Sequence, residues 1–190
     1  MYKKIILSLL INSFIFSQTI FFSEYAEGSS NNKYLEIYNN TDQTIDLSQY
    51  AFPNSTNGAD TDGTFDYWNI FDGLDQTDSA PISGTTLVNP GEVYVVCHPS
   101  SDEFILNECN QFHTYLSNGD DGFCLVEGNE DNYTILDCIG DWSATDPGSG
   151  WDVAGVNDAT KDHTLVRKIE VDNGNPVSYT HLTLPTIYSV

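Results

Sequence analysis

The chain has 190 residues, of which 28 are acidic and only 6 are lysine or arginine, so its formal net charge is −22 at pH 7. A surface this acidic repels phosphate backbones, which excludes direct binding to nucleic acid unless a metal ion bridges the contact. Aromatic side chains make up 13% of the residues. This density argues against a disordered chain, because aromatic side chains bury enough area to offset chain entropy.

Residues 1–18 have the layout of a secretory signal peptide. Lys3 and Lys4 give a basic start, an apolar run extends from Ile5 to Phe16, and the small residue Ser17 follows it. The run is shorter than the ~20 residues that a helix needs to cross a bilayer, which favours export over a retained membrane anchor. We therefore expect an extracellular, cell-surface or periplasmic protein with no membrane span after leader removal.

The residues after the leader predict many short strands separated by turns. In the segment from Lys33 to Asn39, Leu35 and Ile37 share one face and their neighbours share the other. This two-residue alternation is typical of a half-buried strand. Clusters of Asn, Asp, Gly and Pro separate nearly all of the segments. The predicted strands are Ile20 to Tyr25, Lys33 to Asn39, Thr44 to Leu47, Tyr50 to Phe52, Phe65 to Ile70, Glu92 to Cys97, Phe123 to Glu127, Tyr133 to Ile139 and Thr164 to Val171.

One short helix is predicted between Ser100 and Asn110. Glu103 follows Ser100 by three residues, which is the spacing of a capping box, and an apolar run begins at Phe104. Helical periodicity is weak elsewhere and no strand–helix–strand rhythm is visible. The sequence therefore predicts an all-β sandwich with one short helix, formed by residues 19–176 as one domain.

The chain has four cysteines, which is an even number in a protein predicted to be exported. This favours two disulfides over a metal site. Three pairings are possible. We favour Cys124 with Cys138, which flank a hairpin-like stretch, and Cys97 with Cys109, which would close an acidic loop. No pair has the Cys-x-x-Cys spacing of a zinc knuckle or a redox site.

The last fourteen residues, Val177 to Val190, change composition abruptly and contain no acidic residue. They resemble the translated sequencing-adapter read-through found at the ends of some metagenomic gene models. We therefore expect 177–190 to be an artefactual tail, and the natural protein to continue past Pro176.

Six blocks, taken together, carry a family resemblance. They are FFSEYAEGSSNNKYLEIYNNT at 21–41, LVNPGEVYVV at 87–96, YLSNGDD at 115–121, ILDCIGDW at 135–142, DPGSGWDVAG at 146–155 and ATKDHTLVRK at 159–168. In this order and spacing they resemble the lamin tail domain as it occurs in exported bacterial proteins. The resemblance implies an immunoglobulin-like β-sandwich without a catalytic centre; in bacteria such domains occur alone, in series, or joined to exported nucleases, phosphatases and other hydrolases.

Several residues in these blocks suit structural roles. Asn118 and Gly119 tolerate positive φ, so Asp120 and Asp121 can cap the turn that follows them. Trp151 follows a predicted type II turn and is expected to cover a sheet end.

Arg167 alternates with Leu165 and Ile169, so on a strand it shares their face and needs an acidic partner if it is buried. Glu24 and Glu36 are candidates, and we predict a pair between Glu36 and Arg167. The alternative is an arginine at the strand edge with its head in water.

The acidic stretch from Asn54 to Ser79 holds the candidate metal ligands. Asp60, Asp62 and Asp66 match part of an EF-hand loop, but its first-position acid and twelfth-position glutamate are absent. We keep a loose calcium site at these three residues as a hypothesis, against the commoner alternative of a solvated acidic loop.

No residue pattern predicts catalysis. The histidines show no metal-hydrolase spacing such as HExxH, and Ser149 lacks the frame of a nucleophile elbow. Our first hypothesis is a non-catalytic exported interaction module that binds a protein or a glycan, with 54–79 as its variable contact. The alternative is an accessory domain that leads a larger exported nuclease or hydrolase.

Overall fold

The computed structural model describes residues 19–61, 63–142, 146–153, 155–176 and 187–189, and it has the all-β, immunoglobulin-like architecture that the sequence predicts. Nothing among these residues forms a helix long and apolar enough to cross a membrane. The predicted signal peptide and most of the predicted artefactual tail lie outside the described residues. The strands are β1 Ile20–Glu27, β2 Lys33–Asn39, β3 Ile45–Asp46, β4 Tyr50–Ala51, β5 Asn54–Ser55, β6 Leu87–Val88, β7 Val93–Cys97, β8 Gln111–Phe112, β9 Gly122–Asn129, β10 Asn132–Ile139, β11 His163–Val166 and β12 Ile187–Ser189.

Two main sheets face each other. The first has the order β12-β11-β1-β2-β7-β8 and is antiparallel except for the parallel pair β7 and β8. The second has the order β10-β9-β4, with β5 also pairing with β9. Strands β3 and β6 form a separate two-stranded ribbon.

The core fills the space between these sheets with alternate side chains of each strand. Leu35 and Ile37 on β2 are buried, as their predicted face requires, while Phe123 and Leu125 on β9 are buried from the opposite sheet. Burial of this kind is the main favourable term for folding, at about 25 cal/mol per Å² of apolar surface. The core extends to Phe22, Tyr25, Leu47, Phe52, Phe71, Val88, Tyr94, Val96, Ile139, Val153 and Leu165.

Each sheet carries a β-bulge near the same edge of the sandwich. The β1–β2 register shifts between Phe22 and Glu24, and the β9–β10 register shifts between Ile135 and Asp137. A bulge leaves one residue unpaired and changes which side chains face inward beyond it. As a result Asp137 is fully buried beside Phe22 of the facing sheet.

The outer face of the second sheet is covered by the long segment between β5 and β6. Four aromatic side chains pack over this face, and we call them the aromatic clamp. Two come from the long segment, one lies on β10 and one follows β10. The rings of Phe65 and Trp142 are stacked, with centroids 4.3 Å apart. The clamp consists of Phe65, Trp68, Tyr133 and Trp142.

Both favoured disulfides are present. Cys124 and Cys138 lie directly opposite each other on β9 and β10, with Cα atoms 4.1 Å apart. Cys97 at the end of β7 is joined to Cys109, with Cα atoms 5.9 Å apart.

Three local predictions are corrected. The helix α1 covers only Glu103–Leu106, and Asp102 precedes it without a side-chain cap, so the Ser100 capping box does not form. Phe65 to Ile70 is a loop whose two isolated bridges, Tyr67 to Asn54 and Ile70 to Ala51, replace the expected strand. Strand β11 ends at Val166, so the prediction that it continues to Val171 is wrong.

Candidate functional site

A cleft opens at one end of the sandwich, where the segment after β5 meets the segment after β8. Its volume is about 630 Å³. This lies within the range of roughly 300–1,000 Å³ that small-molecule sites occupy. We call it the loop-end cleft, and it is lined by Asn31, Lys33, Asn54, Thr56, Tyr67, Asn69, Gln76, His98, His113, Thr114, Tyr115, Leu116, Asn118 and Asp121.

The buried ring of His113 anchors one wall of the cleft to the core. It meets the Phe52 ring edge-on at 5.3 Å and the Tyr115 ring at 6.3 Å. Burial, with a smaller effect from His98, lowers the pKa of His113 to about 4. Burial and the charge of Lys33 also lower the pKa of His98. Both imidazoles are therefore uncharged near neutral pH.

Lys33 and Asp121 are the only formally charged side chains that line the cleft, within the described part of the chain. The Lys33 ammonium donates to Asn118 Oδ1 at 2.6 Å and lies 3.6 Å from Glu27 Oε1. Burial raises the pKa of Asp121 to about 6, although its Oδ1 accepts a hydrogen bond from the Asn57 amide at 3.1 Å. The described lining of the cleft thus carries one lysine and one carboxylate, and the lysine is paired with Glu27 behind it.

The turn that carries Asn118 is held by a residue other than those predicted. Ser117 Oγ accepts hydrogen bonds from the amides of Gly119 and Asp121, at 2.8 and 3.2 Å. Ser117 therefore caps this turn in place of the predicted Asp120 and Asp121, and the Asp121 carboxylate instead accepts from the Asn57 amide. Asp120 Oδ1 is buried and accepts no hydrogen bond within the described residues.

Glycine is required in the same turn. Gly119 has φ of +110°, and a Cβ there would lie 2.8 Å from Ser149 O. Trp151, which is buried, also supports this end of the sandwich, since its Nε1 donates to Asp121 O at 3.3 Å and its backbone amide donates to Thr160 Oγ1 at 2.7 Å. The loop that contributes Asn118 and Asp121 is thus fixed to the segment that follows β10.

Arg167 has a different acidic partner from the predicted one. Its guanidinium contacts both carboxylate oxygens of buried Asp137, at 2.5 and 2.6 Å, and Nε donates to Phe22 O. Glu36 instead accepts a hydrogen bond from Ser23 Oγ at 2.7 Å. The Glu36–Arg167 prediction is wrong because the strand ends at Val166: Ile169 is 94% exposed, so the assumed alternation does not continue.

The proposed calcium residues are only partly described. Asp66 uses its carboxylate to hold the loop, accepting from the Thr56 amide at 2.8 Å and the Asp60 amide at 3.3 Å. Asp62 lies outside the described residues. Among the residues that are described, no group of three or more His, Cys, Asp or Glu side chains could hold a metal ion. Calcium binding stays a prediction.

The sequence did not identify the loop-end cleft as a site. The spacing of His98 and His113 bears only on metal binding, and no sequence pattern distinguishes Tyr67 and Tyr115 from the other tyrosines. The sequence signal for these two tyrosines is weak. Tyr67 lies inside the acidic stretch, and Tyr115 follows His113 by two positions. Their common location depends on how two segments far apart in the chain pack together.

Comparison with known protein families identifies the family of this chain. A family model described as Lamin Tail Domain matches residues 17–138, which include β1 to β9 and most of β10. No curated protein matches the chain.

Proposed function

The chain belongs to the lamin tail domain family, a family of non-catalytic immunoglobulin-like domains, and from that premise we propose that it is an exported module that binds a protein or a glycan at or outside the cell surface. The observation that carries the proposal is the loop-end cleft. It is concave, it lies at the loop end of the sandwich, and it has the volume of a ligand site.

The acidic stretch from Asn54 to Ser79 supplies much of this cleft. Asn54, Thr56, Tyr67, Asn69 and Gln76 all line it. Loops on a rigid β scaffold are the usual location of binding residues, because they vary without disturbing the core. This placement supports the hypothesis that the stretch is the contact region.

Two disulfides support the exported location. Disulfides form and persist in oxidising compartments, whereas the cytosol keeps most thiols reduced. Each of these links closes a loop of moderate length and contributes about 3 kcal/mol to the free energy of unfolding in the chain-entropy model.

The proposal is tested by retention of extracellular polymers on the immobilised full chain. Mixed cell-surface proteins and polysaccharides are passed over the chain, and bound mass is measured by surface plasmon resonance. The cleft is altered by Tyr67→Ala together with Tyr115→Ala. The matched control is Phe104→Ala, because Phe104 is 91% exposed but lies on α1, away from the cleft.

We expect the unaltered chain and the Phe104→Ala variant to retain material and the double variant to lose it. The size distribution of the polymers should be the same before and after contact, as a non-catalytic module requires. Equal retention by the double variant, or shortening of the polymers, would overturn the proposal.

A further inference from the structure

Three of the five amide side chains that line the loop-end cleft, those of Asn69, Gln76 and Asn118, are each held at one end and, among the described residues, unpaired at the other. Asn118 Oδ1 accepts from Lys33 at 2.6 Å, and Gln76 Oε1 accepts from the Thr114 amide at 3.1 Å. Asn69 Nδ2 donates to Asn54 Oδ1 at 2.9 Å and to Phe52 O at 3.1 Å. Within the described residues, Asn118 Nδ2, Gln76 Nε2 and Asn69 Oδ1 have no hydrogen-bond partner.

Amides held in this way are suited to a ligand rich in hydroxyl groups. A hydroxyl both donates and accepts, so it can bond to an amide NH₂ and to an amide oxygen alike. Because each side chain is already oriented, little rotamer entropy is lost when a ligand binds.

Two exposed tyrosines lie along the same cleft. Tyr67 is 61% exposed and Tyr115 is 74% exposed. Tyr67 is fixed through its backbone, which pairs with Asn54, and the Tyr115 ring is placed by the buried His113 ring. A large aromatic ring offers a flat apolar surface with a polar tip, and the C–H groups of a sugar ring can pack against such a surface.

The charge of the cleft differs from that of the rest of the protein. The chain has 28 acidic residues against 6 basic ones, yet among the described residues the cleft lining has one carboxylate, Asp121, and one ammonium, Lys33. The remaining polar lining consists of amides, hydroxyls and uncharged imidazoles. A balanced lining of this kind favours an uncharged ligand over a phosphate or a metal cation, since a buried charge needs a partner.

We propose that the loop-end cleft binds an uncharged oligosaccharide, with Tyr67 and Tyr115 packing against sugar rings and the free ends of Asn69, Gln76 and Asn118 bonding to hydroxyls. This rests on the proposed function as a binding module and names the class of its ligand.

The test is a titration of the full chain with soluble oligosaccharides, followed by two-dimensional amide NMR. The neutral probes are gluco-, manno-, xylo- and N-acetylglucosamine oligomers of several units, and an oligogalacturonate is the charged comparison. We expect at least one neutral probe to bind saturably with Kd in the millimolar range or below, with shifts confined to the cleft. Tyr67→Ala and Tyr115→Ala should each weaken that binding about tenfold, as the loss of one stacked ring does.

Three controls keep the outcome clear. Tyr67→Phe and Tyr115→Phe keep the ring and should bind nearly as well as the unaltered chain. Phe104→Ala should not change binding at all. Both cleft tyrosines are exposed, so their substitution leaves the core intact, and an unchanged thermal unfolding midpoint confirms this for each variant.

Absence of saturable binding by every neutral probe at about 10 mM, or binding that is indifferent to both tyrosines, would overturn the saccharide assignment. Preference for the charged oligomer would overturn it as well. If polymer retention nevertheless depends on the tyrosines, the module binds another partner and the proposed function stands. If neither experiment depends on them, both proposals fail.

Discussion

At the scale of single residues, the Asp137–Arg167 pair determines how the two sheets are joined at one edge. Asp137 lies on β10 of the second sheet and accepts hydrogen bonds from the Phe22 amide on β1 and the Asn175 amide, both at 2.8 Å. Arg167 donates to the same carboxylate and stacks over Phe21, with its guanidinium carbon 5.6 Å from the ring centroid. A buried carboxylate is tolerated only when its oxygens are paired in this way.

We predict that Asp137→Asn lowers the free energy of unfolding by about 3–5 kcal/mol, because it leaves the Arg167 guanidinium without a charge partner in a buried setting. The asparagine NH₂ would also face donors where the carboxylate accepted. Urea denaturation at neutral pH, compared with the unaltered chain, measures the change.

The control for this prediction is Glu36→Gln. Glu36 is half-buried and its side chain binds Ser23, so the amide can keep that hydrogen bond and the cost should be below about 1 kcal/mol. If Glu36→Gln costs as much as Asp137→Asn, Asp137 is not the principal partner of Arg167.

The pairing could not be read from strand alternation alone. Strand alternation predicts that Arg167 and Leu165 share one face of the sheet. It therefore predicts an acidic partner on β1 or β2, the strands of the opening hairpin. The actual partner lies on the opposite sheet, 30 positions away in the chain. It faces inward beside Phe22 because both strands carry a bulge, and no sequence pattern marked those bulges.

At the scale of elements, the aromatic clamp turns the long acidic stretch into an ordered part of the sandwich. Phe65 and Trp68 reach back over the second sheet, while Tyr67 between them lies at the cleft. The carboxylate of Asp66 binds two backbone amides of the same loop. One segment therefore covers the outer sheet face and also shapes the candidate binding site.

We predict that Trp142→Ala releases this segment. It removes the ring stacked on Phe65, so the free energy of unfolding should fall by about 2 kcal/mol, less than for a fully buried aromatic. Amide hydrogen exchange in residues 56–70 should become faster by more than the global loss accounts for. Exchange measured by mass spectrometry after proteolysis resolves this segment.

Tyr67→Ala is the matched control within the same segment. Its ring is mostly exposed, so we expect little change in stability and near-normal protection of 56–70. Unchanged exchange in the Trp142→Ala variant would show that the hydrogen bonds of the loop, and not the clamp, keep it in place.

At the scale of the whole molecule, the excess of acidic over basic residues sets the electrostatics. Like charges at this density repel one another and oppose the compact state. Salt weakens that repulsion because the Debye length falls from about 10 Å at 0.1 M to about 3 Å at 1 M.

We predict that the thermal unfolding midpoint rises by several degrees between low salt and about 0.5 M NaCl, since screening removes repulsion that is larger in the folded state. KCl should have the same effect, because screening depends on ionic strength and not on the identity of the cation. Differential scanning calorimetry measures the midpoints.

Adding calcium distinguishes binding at a specific site from general screening of charge. At constant ionic strength, millimolar Ca²⁺ should raise the midpoint further only if Asp60, Asp62 and Asp66 form the predicted site, and an Asp60→Asn, Asp62→Asn variant should lose that rise. A midpoint independent of NaCl would contradict the screening argument, whatever calcium does.

The sequence alone predicted the fold class and most strand positions, and it favoured one of the three possible disulfide pairings, while the family followed from the resemblance of six blocks. The fold class and the strand positions depend on local information, namely the two-residue period of buried side chains and the turn residues between them. Only the tertiary structure decided the partner of Arg167, the path of residues 54–79 and the existence of the loop-end cleft. Each of these depends on contacts between segments far apart in the chain, where a single bulge or an early strand end changes which side chains meet.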